Sequence, residues 1–214
     1  PSGIQGVLLN LGGVFLLVFI GLIPHSDAAQ AAYTICYAQL FSLVTWTSFG
    51  LRSASATLMG QNIGAGKRER GKRAVGVAAM LGTAWAGLVG IMFWSIPHQL
   101  LWVFDATGEP IHSFGVSLLH WLAFSGLVLA PALALTGGLQ GAGETKIPMY
   151  IAFATQIVLL LGMCGIFWAT GTLTADRVWM SIFVCHLARL LLTYGVFRTE
   201  GWTHTKVELA REAA

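Results

Sequence analysis

Four polar side chains stand deep inside long apolar runs: Asn10, Gln39, His120 and Gln156. Helices rise 1.5 Å per residue, so a residue about ten positions from either end of a span lies near mid-depth. A polar group at that depth either bonds a neighbouring helix or faces a wet cavity that handles ligands or ions. These four stand on different runs at a similar depth, which makes them candidate cleft-lining residues. His120 is the deep side chain whose charge changes near neutral pH, and it is the candidate proton site. The last apolar run adds His186, Arg189 and Thr193 at helical spacing, forming one polar face. Arg189 either snorkels to the nearby interface or bonds carbonyls or an acid within a bundle. No carboxylate lies clearly inside an apolar run, so a buried acid paired with Arg189 would come from elsewhere.

Covalent and metal chemistry have little to build on. Membrane-embedded hydrolases and transferases need a nucleophile–base pair or a ligand cluster. No HExxH, GxSxG or paired-aspartate pattern occurs in these runs, which weighs against an enzyme working through His120 or His186. The chain reads as a non-enzyme without cofactor or metal site. Cys36, Cys164 and Cys185 lie in apolar runs with no CxxC pair, and read as small packing residues. The basic cluster Lys67, Arg68, Arg70, Lys72 and Arg73 has no aromatic interleaving and sits between two apolar runs. It reads as a topology signal, with no nucleic-acid partner.

The elements that must position these residues are membrane spans. The chain has 214 residues, 56% hydrophobic and 10% charged, where soluble domains carry about 25% charge. Crossing roughly 30 Å of hydrocarbon takes about 20 apolar residues. Six runs qualify, near residues 4–23, 28–58, 74–96, 111–139, 147–169 and 178–197, so residues 1–197 read as one six-helix membrane lobe. The second run is too long for one crossing, and its Ser/Gly-rich end is expected to emerge from the bilayer. A polar tail, 198–214, closes the chain. Basic residues gather in alternate connections, and Asp27, Asp105, Glu109 and Asp176 in the others. The positive-inside rule then puts both termini in the cytoplasm of a cell whose inner membrane holds the protein as a multi-pass chain. The opening Pro1-Ser2-Gly3, without an initiator Met, reads as a start cut from a longer chain.

Packing in lipid relies on close approach rather than on hydrophobicity. Gly82, Ala86 and Gly90 form one small-residue stripe, and Gly137 and Gly141 form another; both read as helix seams. Pro131 is expected to kink or loosen the fourth span. Trp85, Trp94, Trp102, Trp121, Trp168 and Trp179 lie near predicted span ends and read as interface anchors.

Several strings resemble the multidrug and toxic compound extrusion (MATE) family. The opening Pro1-Ser2-Gly3-Ile4-Gln5 is similar to the start of that family's seventh helix. Residues 53–66, containing Met59-Gly60-Gln61-Asn62-Ile63-Gly64-Ala65-Gly66, resemble its eighth helix and following turn. Residues 139–149, containing Gly141-Ala142-Gly143-Glu144-Thr145-Lys146, resemble the segment between its tenth and eleventh helices. The motif positions are Gly60, Gln61, Gly64, Gly66, Gly141, Gly143 and Thr145. Their glycines suit tight turns and close backbone approach.

The resemblance implies an all-α polytopic protein, with this chain the C-terminal six-helix lobe of a twelve-helix, two-lobed transporter. Its partners would be the lipid bilayer, a missing N-terminal lobe of the same chain and a small cationic or amphipathic substrate. Its activity would be efflux by antiport with H+ or Na+, by alternating access. One branch of the family carries a glutamate in the seventh helix and an aspartate in the tenth. Leu9 or Asn10 and Leu129 stand at those places here, so that cation site does not transfer, and the coupling acid would lie in the other lobe. A flippase for lipid-linked substrates and a non-transporting assembly subunit are the alternative readings.

Overall fold

The longest helices follow the apolar runs, and their ends follow glycine, proline and charge. The computed structural model describes residues 2–199, the side chains of residues 2–5, 8 and 9 excepted. Pro1, the side chains of the opening motif, the Leu9 side chain and tail residues 200–214 therefore lie outside the described residues. The described elements are α1 (Ser2–Ile20), α2 (Ser26–Tyr33), α3 (Ser42–Gly64), α4 (Arg68–Ser95), α5 (Pro97–Val103), α6 (Ile111–Gly141), α7 (Lys146–Phe153), α8 (Leu160–Ala169) and α9 (Ala175–Thr199). Two π-helical segments interrupt them: Thr34–Leu40 joins α2 to α3, and Ala154–Leu159 joins α7 to α8. No strand occurs among the described residues.

Among the described residues, four helical stretches are long and apolar enough to cross a membrane: Arg68–Ser95, Ile111–Gly141, Lys146–Ala169 and Ala175–Thr199. The surface agrees with immersion in lipid. Helix α4 buries Val75, Ala78, Gly82 and Ala86 but exposes Val77, Leu81, Leu88 and Ile91, the apolar residues that lipid solvates as well as protein does. This is a multi-pass membrane protein. The second run is one long stack of α2, a π segment and α3. Its Ser-rich part stays helical to Gly64.

Helix α6 is the axis of the bundle and packs against α3, α4 and α9. The contacts are set by small residues. A Cβ placed on Gly137 would overlap the carbonyl oxygen of Arg52, and one on Gly141 would overlap that of Ala56. Both positions advance by four, so α3 and α6 run parallel in register. On the other flank, a Cβ on Gly82 would lie 3.3 Å from the Ala130 methyl, and one on Gly90 would lie 3.1 Å from the Ala123 carbonyl. There the numbers run oppositely, so α4 is antiparallel to α6. Both stripes expected as seams are seams. Arg52 fastens the α3–α6 contact from the side, donating from Nε and Nη2 to Gln140 Oε1 at 3.1 and 3.0 Å.

Helix ends show the same economy. After α3, Gly66 takes φ +72°, its N–H bonds Ile63 O and the Lys67 N–H bonds Asn62 O. After α6, Gly143 takes φ +90°, with Gly143 N to Gln140 O and Glu144 N to Leu139 O. These are two copies of the Schellman cap, which needs a left-handed residue that glycine supplies without steric cost. They account for Gly66 and Gly143. Gly141 serves the α3–α6 contact, and a Cβ on Gly60 would lie 3.2 Å from the Gly141 carbonyl. Gly64 meets nothing within 4 Å and shows no such role. Gln61 is exposed, and its carbonyl accepts the Ala65 N–H. Thr145 occupies the N-cap of α7 without a capping bond, while Glu144 accepts the N–H groups of Lys146 and Ile147.

Two expectations are corrected. Helix α6 runs through Pro131 as unbroken α-helix, and the loosened turns occur instead in Thr34–Leu40 and Ala154–Leu159. Trp179 is fully buried in the core. It is a packing residue, whereas Trp85, Trp94, Trp102 and Trp168 are exposed as expected of anchors.

Candidate functional site

The interior between α1, the two π segments and α9 combines buried polar groups with open volume. A π segment holds one more residue per turn than an α-helix, which widens the backbone and re-aims side chains; such bulges gather at functional sites. Here the first carries Tyr37 and the second carries Gln156. Helix α1 presses on the second, where a Cβ on Gly12 would lie 3.2 Å from the Gln156 carbonyl.

Two cavities share this wall. One, of about 330 Å³, is bounded by Asn10, Tyr33, Tyr37, Gln156, Cys185 and His186, with aliphatic residues of α1. The other, of about 370 Å³, is also lined by Tyr33, Tyr37, Gln156 and His186. It extends past Ser42 and Thr45 to Trp46, Phe49 and Arg189. Aromatic rings form a column along the wall. Trp179 and Tyr33 have centroids 6.2 Å apart, Tyr33 and Tyr37 4.9 Å, Tyr37 and Phe41 5.6 Å, and Phe41 and His186 6.4 Å. Tyr33, Tyr37 and Phe41 recur at four-residue spacing and so share one face.

Helix α9 brings polar groups to the same region. His186, Arg189 and Thr193 are buried at 3%, 2% and 1% exposure. Nδ1 of His186, Nη2 of Arg189 and the Thr193 hydroxyl have no hydrogen-bond partner among the described residues. Arg189 therefore does not reach the surface as a snorkelling residue would.

Only two of the four deep polar residues meet. Asn10 and Gln156 line the 330 Å³ cavity together, with Asn10 also donating to Gly6 O at 2.9 Å. Gln39 is exposed and borders none of these cavities; its carbonyl accepts the Ser42 hydroxyl at 2.5 Å. His120 belongs to a separate space of about 620 Å³ with His98, Glu109, His112 and Trp121. It lies against Trp94, with ring centroids 4.3 Å apart. Next to it, His98 Nδ1 and His112 Nε2 are 3.0 Å apart. No group of three metal-ligating side chains occurs among the described residues.

In the sequence, Tyr33 and Tyr37 count as apolar members of a span. Their i, i+4 spacing with Phe41 was the available signal. The His186–Arg189 face was legible from spacing, but what it faces was not.

A family model described as MatE matches residues 1–166. The chain belongs to the MatE family. Two curated relatives agree with the assignment. A probable multidrug resistance protein NorM of Mesorhizobium japonicum is 30% identical over 139 residues, 63% of this chain and 29% of that protein. A probable multidrug resistance protein YoeA of Bacillus subtilis is 23% identical over 198 residues, 92% of this chain and 42% of that protein. The chain spans less than half the length of either relative. For a MatE member, the two glycine strings now have a physical content. Each combines a close helix approach with a Schellman cap, and both serve the same pair of helices, α3 and α6.

Proposed function

We propose that this chain is one six-span lobe of a secondary efflux transporter that moves amphipathic organic molecules, cationic drugs or metabolites among them. The lobe sits in the inner membrane with both termini cytoplasmic, and a second six-helix lobe completes a cleft that opens alternately to either side. The observation that carries this reading is the pair of cavities that share Tyr33, Tyr37, Gln156 and His186. Such a wall combines aromatic surface with few polar groups, the composition of a site for amphipathic ligands. The family membership and the relatives' multidrug resistance names support the same reading.

Coupling is to H+ or Na+. Leu129 stands where one branch of the family carries an acid in the tenth helix, and it is buried. The coupling acid is then assigned to the other lobe, with His120 as the proton site candidate of this one. Reconstitution of the full-length protein into proteoliposomes tests the proposal. A cationic dye is expected to move only when a pH or sodium gradient of the correct sign is imposed. Gradient-independent movement, or movement of a lipid-linked substrate in its place, would overturn it.

A further inference from the structure

We infer that Arg189 is the anion-binding end of a site for a small amphipathic carboxylate. The guanidinium is 2% exposed, and its Nη2 has no hydrogen-bond partner among the described residues. It lines the 370 Å³ cavity beside His186 and Gln156. His186, which lines the same cavity, carries a second orphan, Nδ1. Arginine stays charged in proteins, and a buried charge without an opposite partner is strongly disfavoured.

That partner is not supplied locally. The acidic residues among those described are Asp27, Glu69, Asp105, Glu109, Glu144 and Asp176, all in connections or the first turns of helices. Asp176 shares α9 with Arg189 but stands 13 positions earlier, roughly 20 Å along the axis. The other interior arginine, Arg52, donates to the neutral Gln140 and adds positive charge to the region.

Geometry narrows the anion. A guanidinium presents a planar fork of N–H donors that matches the two oxygens of a carboxylate. One fork and one imidazole nitrogen suit a monoanion with two oxygens better than a phosphate, which asks for more donors. Much of the remaining lining of the cavity is apolar, with Trp46, Phe49, Leu129 and Leu133. A ligand that fills it carries a carboxylate on an aromatic or aliphatic body, as an anion or a zwitterion. This deepens the efflux reading and rests on it for the direction of movement, while the binding itself does not depend on transport.

The test is calorimetric titration of the full-length protein in lipid nanodiscs with three probes of one shape. They are 1-naphthoate, 1-naphthamide and 1-naphthylmethylammonium. The naphthoate is expected to bind roughly 10- to 100-fold more tightly than the amide, the range of one charge-assisted contact. Arg189→Gln should bring naphthoate down to the amide, with amide affinity changed by less than about twofold. Arg189→Lys should fall between, because an ammonium lacks the fork.

Equal affinity of the wild-type protein for naphthoate and naphthamide overturns the proposal, and is the result expected if a carboxylate elsewhere in the protein already holds the guanidinium. A carboxylate preference that survives Arg189→Gln overturns it as well. The wild-type comparison of the three probes needs no variant, so misfolding of a variant leaves the inference open to refutation. Carboxylate preference with no gradient-driven dye movement would sink the efflux reading alone; the reverse would sink only this one.

Discussion

Gly141 of α6 lies directly against the backbone of Ala56 on α3, one helical turn beyond the matching approach of Gly137 to Arg52. No side chain fits between these helices. Gly141→Leu is expected to cost about 1–3 kcal/mol or more by forcing α3 and α6 apart. Gly64→Ala, where a Cβ meets nothing within 4 Å, should stay within about 1 kcal/mol of wild type, on the stabilising side. Thermal melts in one detergent compare the two variants. Equal destabilisation would refute the contact as described.

Backbone geometry makes a separate demand at Gly66 and Gly143, whose φ values are +72° and +90°. Alanine at either should cost about 1 kcal/mol, the penalty of a left-handed residue bearing a Cβ. Gly143→Asn should recover part of that loss, since asparagine tolerates this conformation. The same melts read the ranking, and alanine variants as stable as wild type would contradict the Schellman caps.

How much of this was readable beforehand depends on what carried the signal. The α3–α6 seam was legible because Gly137 and Gly141 repeat at helical spacing in an otherwise bulky run. The caps were legible because glycine beside basic residues is how a helix leaves a bilayer. The π segments were not, because Thr34–Leu40 and Ala154–Leu159 are ordinary apolar sequence, and the hydrogen-bond register of a helix has no residue code. Asn10 and Gln156 share a cavity, but Gln39 and His120 do not, because depth along a helix says nothing about the side on which a residue faces. Trp179 reads as an interface anchor from its place near a helix start, and only packing against Tyr33 reveals it as core.

The cavity assignment separates residues that look alike on paper. Gln156→Leu should reduce dye efflux roughly fivefold or more, the loss of about one hydrogen bond's worth of free energy. Gln39→Leu should leave efflux near wild type, since Gln39 borders neither cavity. Initial efflux rates in proteoliposomes, normalised to protein amount, check the pair. A deficit at Gln39 as large as that at Gln156 would mean the wrong surface has been chosen.

His120 makes a different claim, about coupling rather than contact. If a proton binds there, His120→Gln should flatten the pH dependence of efflux across the near-neutral range in which imidazole titrates. Naphthalene-probe binding at the Arg189 cavity should be unchanged, because His120 lines a separate space. An unaltered pH profile would remove His120 from the coupling path.

The π segment at Thr34–Leu40 acts as a phase shifter. It inserts a residue without inserting a turn, so the helix on its far side is rotated by about 100° relative to an uninterrupted one. Tyr33 and Trp46 reach one cavity from opposite sides of that shift. Healing the bulge into regular α-helix with no residue removed would conserve every side chain of the wall and yet turn part of it toward lipid. The shape of this site is thus encoded partly in a count of residues, and comparisons of side-chain identity alone will pass over it.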